Sequence, residues 1–306
     1  MSSRAIDTLV LTAAPASGHL TRDIVDAARD ALSGPEGVWL ARGEAWEMRI
    51  DRGERSLDDI RGAVEKALGS ASIDVNAVSA PLSSRRKRLV CADMESTIIR
   101  EELIDEMAEM VGCRAEITAI TDAAMRGEID FEGALVRRVA LFKGLAAERL
   151  DDILRRATLM PGATTLLRTM AASGARCALV SGGFTRFAEP IAQRLGFDTV
   201  VANELVIENG KLTGEVRHPI VGPDGKAQAL TRLAAAHGLD LSETIAVGDG
   251  ANDLVMLRTA GLGVAFRAKP ILAAAARSSP SGAVVTHGDL TALLYLQGIP
   301  STAHAS

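Results

Sequence analysis

The chain has 306 residues, 47% of them hydrophobic, enough for one large domain or two of ordinary size around packed cores. Its 34 Lys+Arg against 39 Asp+Glu give a net charge of −5, and aromatic residues make up 3%, so neither a basic surface nor a base-stacking platform for nucleic acid is expected. No apolar stretch approaches the roughly 20 residues that a membrane-spanning helix needs, and three cysteines without paired spacing, Cys91, Cys113 and Cys177, fit a reducing, cytoplasmic compartment.

In chain order, "AIDTLVLTA" reads as a first strand; it follows no basic region, so it is not taken as a targeting segment. Residues 20–32 have helical spacing, "GVWLA" and "AWEMRI" form an expected hairpin around Gly43, and residues 56–68 are helical again. Together these make a small α+β module over residues 1–82. "SAPLSSRRKR" reads as a linker, with Arg85, Arg86, Lys87 and Arg88 as a solvated connection. The apolar run 89–92 is the next strand, and residues 100–160 are helical with few strand signals. Alternation of strand and helix follows, with "RCALVSGG", "ETIAVGDG", "GLGVAF" and a last strand in "AVVTH". That pattern predicts an α/β fold: a doubly wound, Rossmann-like parallel sheet over residues 83–306 with a helical cap inserted at about 105–160.

In such sheets ligands bind beyond the carboxyl ends of the strands. Three strand ends here carry polar groups: Asp93 and Glu95; Ser181, Gly182 and Gly183; and Asp249 with Asn252 and Asp253. Singly, an Asp after a strand suits a cap, and Ser-Gly-Gly suits an ordinary turn. Jointly, carboxylates from two strands can hold Mg²⁺, while Ser181 and the N–H groups opening the next helix can bind an anion beside it. A phosphoryl group fits that pairing. With no Cys-His or Ser-His arrangement, a carboxylate is the available nucleophile, and Asp93 is best placed at its strand terminus. Lys226, at the start of an expected helix, is the candidate to neutralise phosphoryl charge; alone it would be read as an exposed helix-terminal lysine. The five histidines, His19, His218, His237, His287 and His304, have no metal-like spacing.

These residues resemble the haloacid dehalogenase-like phosphatases, whose first motif Asp-x-Asp-x-Thr is matched by Asp93-Met94-Glu95-Ser96-Thr97 and whose later motifs look like Ser181, Lys226 and "GDGANDL". More narrowly, residues 85–290 are similar to phosphoserine phosphatases. The resemblance implies Asp93 as nucleophile and Mg²⁺ ligand, Glu95 as general acid/base whose backbone carbonyl also binds the metal, and Asp249 as the other protein ligand, supported from behind by Asp253. Ser181, Gly182, Gly183, Lys226 and Asn252 would surround the phosphate. In the helical stretch after the nucleophile, Glu102 would bind the substrate ammonium, and in the cap Arg138 would bind its carboxylate, with Met125 and Phe131 closing over the site. From spacing alone, Glu102 and Arg138 could equally be exposed helix charges, and Met125 and Phe131 ordinary core.

The implied activity is Mg²⁺-dependent hydrolysis of O-phosphoserine through an aspartyl phosphate, the last step of serine biosynthesis. Other outcomes stay open: a phosphatase or phosphotransferase of the same fold on another small phosphate ester, or an amino-acid-binding regulatory protein with an impaired catalytic domain. The first module resembles amino-acid-binding ACT-type domains in element order. Free serine or another amino acid there, and a second copy in a homodimer, are further expected partners; nucleic acid and membrane are not. The departure is Glu95, where the family usually has Asp, which hangs the carboxylate on a longer arm.

Overall fold

The computed structural model describes residues 6–80 and 82–305. Ala5 and Pro81, at the start of the first expected strand and within the expected linker, lie outside them. Strand β1 (Ile6–Thr12) is followed by helix α1 (Arg22–Leu32), β2 (Val38–Ala41), β3 (Ala45–Ile50), α2 (Leu57–Leu68) and β4 (Asp74–Ala80), which form a four-stranded sheet in the order β2-β3-β1-β4. The helices start where capping chemistry allows. Thr21 accepts from the Ile24 N–H, and Ser56 and Asp59 form a reciprocal capping box. Leu9, Leu11, Trp46 and Met48 face the two helices in one apolar cluster, while Val10, Ala45 and Val78 point to the opposite face, as the two-residue strand period requires.

A short helix α3 (Leu82–Arg85) leads into β5 (Leu89–Ala92), and the expected solvated connection is only half solvated. Arg86 and Arg88 are exposed, but Arg85 pairs with Glu47, and Lys87 is buried, donating to the carbonyls of Ser84 (2.8 Å) and Ser242 (2.6 Å). Burial pushes the Lys87 ammonium down to about 8. The charge run is a packed joint between two sheets, because alternate residues of it face inward.

The expected cap follows as α4 (Leu103–Val111), α5 (Arg114–Met125), α6 (Phe131–Ala140) and α7 (Arg149–Arg156). Then come α8 (Ala163–Ala172), β6 (Arg176–Phe184), α9 (Thr185–Leu195), β7 (Thr199–Asn203), β8 (Leu205–Glu208), β9 (Lys211–Val216), α10 (Pro223–Ala236), β10 (Thr244–Gly248), α11 (Leu254–Thr259), β11 (Leu262–Phe266), α12 (Pro270–Arg277), β12 (Gly282–Val285) and α13 (Ala292–Leu296). The six-stranded parallel sheet has the order β12-β11-β10-β5-β6-β7. Leu89 and Cys91 pack on one face with Leu230 and Met256, and Val90 and Ala92 on the other with Leu166 and Phe187, so helices cover both sides. From β5 the chain moves to β6 on one side and later to β10 on the other. The switch in direction opens a crevice beyond the ends of β5 and β10.

The β8–β9 hairpin interrupts the expected alternation. It pairs with the cap: the Gly144 N–H donates to the Leu212 carbonyl (2.8 Å), the Leu212 N–H to Leu145 (2.9 Å) and the Ala147 N–H to Gly210 (2.8 Å). Among the described residues, no helix is long and apolar enough to cross a membrane.

Candidate active site

Asp93 follows β5 directly, and its N–H continues the ladder to the Val247 carbonyl (3.0 Å), so the strand aims its side chain into the crevice. Asp249 follows β10 in the same way. The next turn brings Asp253 back against Gly248, where an added Cβ would stand 2.3 Å from the Asp253 carboxyl carbon; only glycine permits that return. Oxygen atoms of Asp93, Asp249 and Asp253 lie within 4.8 Å of one another, all three residues buried.

Lys226 sits in the first turn of α10 with a relative exposure of 0%. Its ammonium bridges Asp93 Oδ1 and Asp253 Oδ1 at 2.7 Å each. Burial works against that charge, but Asp253 and Asp93 outweigh it and hold the lysine protonated. The reading as an exposed helix-terminal lysine is therefore wrong. Asp253 spends its other oxygen on the Gly250 N–H (3.2 Å), so both of its oxygens are engaged. Asp93 keeps one oxygen outside the lysine bond, and no hydrogen bond or ion pair among the described residues holds the Asp249 carboxylate. These clustered oxygen donors suit a hard divalent cation. Burial, with Asp253 as the next cause, pushes Asp93 up to about 7 and Asp249 up to about 6.

Glu95 lies between sheet and cap. Its Oε1 accepts the Leu103 N–H at the start of α4 (2.7 Å), and a side chain on Gly183 would come within 2.9 Å of Oε2, which places that oxygen against the Ser181-Gly182-Gly183 turn. Burial, then the charges of Glu102 and Asp93, raise it to about 8. Ser96 takes a left-handed φ of 54°, an unfavourable conformation for a non-glycine residue, and donates its hydroxyl to Glu102 Oε1 (2.8 Å). Glu102 thus precedes α4 without capping it. Arg138, on α6, is lowered by burial and steadied by Glu95, Asp105 and Glu102, which locates it over the same crevice. The Phe131 ring rests on the two glycines of the site, since a Cβ on Gly182 or Gly222 would meet it at 3.1 Å. Met125 ends α5 with 77% of its surface exposed.

Residues 90–258 match the haloacid dehalogenase-like hydrolase family. The chain belongs to that family. It is 43% identical over 253 residues to phosphoserine phosphatase SerB2 of Mycobacterium tuberculosis, an alignment that covers 83% of this chain and 61% of that one. This chain therefore spans less than two thirds of that relative's length. It is 38% identical over 266 residues to a probable phosphoserine phosphatase of Schizosaccharomyces pombe, covering 86% of this chain and 88% of that one. Among solved structures, an unliganded probable phosphoserine phosphatase from Vibrio cholerae superposes with a TM-score of 0.75 at 31% identity, covering 97% of this chain and 88% of that one.

Within this haloacid dehalogenase-like site, Asp93, Glu95, Ser181, Gly182, Gly183, Lys226, Asp249 and Asp253 converge on one crevice, with Glu102, Phe131 and Arg138 above it. Asn252 is half-buried in the turn after β10, its amide oxygen 2.4 Å from where a Cβ on Gly250 would stand. Met125 points outward, and its role as a closing residue rests on the family resemblance alone. Spacing does not disclose the Ser96 contact, because a left-handed serine has no sequence signature of its own.

Proposed function

We propose that this protein is a Mg²⁺-dependent phosphatase that hydrolyses O-phosphoserine to serine and phosphate. The observation that carries the chemistry is Lys226 bridging Asp93 and Asp253 beside the uncommitted Asp249 carboxylate. Arg138 and Glu102, a cation and an anion on the cap side, carry the substrate class, since a zwitterionic amino acid offers one partner to each. The names of the relatives support the same substrate.

In this reading the Asp93 oxygen not held by Lys226 attacks phosphorus; an Asp93–O–P bond forms as the bond from phosphorus to the serine oxygen breaks. Glu95 gives its proton to the departing serine oxygen. The resulting carboxylate takes a proton from water as that water attacks the phosphoaspartate, releasing phosphate and restoring Asp93. Lys226 and Ser181 orient the phosphoryl oxygens. Asp93, Asp249 and the Glu95 backbone carbonyl would hold Mg²⁺, which neutralises phosphoryl charge when bound. We place the domain division at residues 1–82 and 83–306, with the N-terminal unit as the place to test for a bound amino acid. The decisive assay is Mg²⁺-dependent phosphate release from O-phosphoserine against O-phosphoethanolamine, which lacks the carboxylate. The proposal expects clear preference for phosphoserine; equal turnover would assign the site to another phosphate ester.

A further inference from the structure

The ladder between β6 and β7 pairs Val180 with Val201 and resumes at Phe184 with Asn203, four steps on β6 against two on β7. The two extra residues fall within the Ser181-Gly182-Gly183 segment, so the expected phosphate turn is a bulge, where the regular ladder breaks and a carbonyl needs another partner. A side chain supplies it. Asn203, the last residue of β7, is 1% exposed, and its Nδ2 donates to the Gly182 carbonyl (2.8 Å) and, more weakly, to the Val221 carbonyl (3.3 Å), while its Oδ1 accepts the Val221 N–H (2.7 Å). Only this orientation of the amide works, because both carbonyls need a donor and the N–H needs an acceptor. Val221 immediately precedes Gly222, the residue that opens α10 and so sets where Lys226 begins. Phe131 of the cap stands on Gly182 and Gly222 alike.

We propose that Asn203 is a positioning residue for the phosphoryl site: it ties the Ser181–Gly183 bulge to the start of the Lys226 helix, and so fixes the distance between the two halves of the phosphate cradle and the footing of Phe131. The inference rests on the phosphatase reading and adds to it a residue that touches neither substrate nor metal. Without this amide, the Gly182 carbonyl and the Val221 peptide have no common partner, and two glycine-flanked segments can drift independently. Displacements near 1 Å at such a site cost on the order of 100-fold in rate.

The test uses the full chain with Mg²⁺. Inorganic phosphate binding is measured by titration calorimetry, and turnover is measured on phosphoserine and on p-nitrophenyl phosphate, which has no amino-acid part. The variants are Asn203→Ala and the milder Asn203→Ser, which keeps a hydroxyl. Asn76→Ala serves as the structural control: Asn76 is equally buried and also uses both ends of its amide, on the Val284 carbonyl (2.9 Å) and N–H (2.8 Å), far from the crevice in sequence and on a different strand. Expected for both Asn203 variants is a loss of phosphate affinity on the order of 10- to 100-fold, with kcat/KM falling by the same factor on both esters and cooperative melting retained. Asn76→Ala keeps the parent's phosphate affinity. Parent-like phosphate binding in either folded Asn203 variant, or an equal loss in Asn76→Ala, would overturn the inference while leaving the phosphatase reading intact. A parent protein that binds no phosphate and turns over neither ester would sink that reading, and the inference with it.

Discussion

Glu95 turns its extra methylene into a second contact. Glu95 reaches the first N–H of α4 with Oε1 and leaves Oε2 beside the Ser181 turn. Burial and the charge of Glu102 raise its carboxyl to about 8, which keeps the proton that the proposed general-acid role requires. Glu95→Gln is therefore expected to keep the fold and metal binding and to lose about 10²- to 10⁴-fold in turnover. In the parent, kcat/KM falls as pH rises through the Glu95 pKa, and that alkaline limb is absent in Glu95→Gln; an unchanged limb in the pH profile would assign it to another group. Asp93, Ser181 and Asp249 were legible in the sequence because each ends an apolar strand run, and a parallel sheet sends all such ends to one edge. The burial of Lys226 was not, since its two carboxylate partners, Asp93 after β5 and Asp253 in the turn beyond β10, lie 133 and 27 residues away.

Among the elements, the cap carries the selectivity that the proposed function requires. Its four helices were expected from periodicity, but their attachment was not: the β8–β9 hairpin clasps the loop between α6 and α7, and Gly214 comes so close that a Cβ would lie 3.1 Å from Lys143 Cβ and 3.3 Å from Ala140 Cα. The sequence carries a hairpin signal there, Asn209-Gly210 with φ of 49° and 74° between two short strands, yet a regular strand-helix alternation leaves no place for it. This clasp ties down the C-terminal end of α6, the helix that carries Arg138. Removing one partner of a charge-assisted contact costs roughly 1.5–3 kcal/mol, or about one to two decades. Arg138→Ala is thus expected to lower kcat/KM for phosphoserine by that factor and to leave phosphoethanolamine nearly untouched. Equal losses on both substrates would make Arg138 a support of α6 and not a reader of the carboxylate.

At the scale of the molecule, the N-terminal unit is docked rather than tethered. β4 lies beside β12, and Asp74, buried at 5% exposure, accepts the N–H groups of Thr286 (2.8 Å), His287 (3.0 Å) and Gly288 (2.7 Å), while α13 packs on β1 and β3. Composition could not reveal this, because the docking residues are single polar positions inside strands. Asp74→Ala strands those donors and is expected to cost about 2–4 kcal/mol, a fall in Tm of roughly 5–10 °C, at unchanged kcat per folded molecule. The crevice itself makes the metal-free protein sensitive to alkali. Asp93, Glu95 and Asp249 are raised to about 7, 8 and 6, above the value of about 4 that carboxyls have in an unfolded chain. The stability they contribute is complete below about pH 4 and is lost as pH rises through 6 to 8. Mg²⁺ competes with those protons, so its effect on Tm, worth about 2.7 kcal/mol at a hundredfold excess over Kd, is expected to be larger at the upper end of that window than at the lower; a pH-independent effect would place the cation elsewhere. The proposed reaction requires Asp93 to carry the phosphoryl group. Acid-quenched mass spectrometry of the protein during Mg²⁺-dependent turnover of phosphoserine tests this most directly: the peptide containing Asp93 should gain one phosphoryl mass that hydroxylamine removes, and phosphate release with that peptide unmodified, or with the label on Ser181, would contradict it.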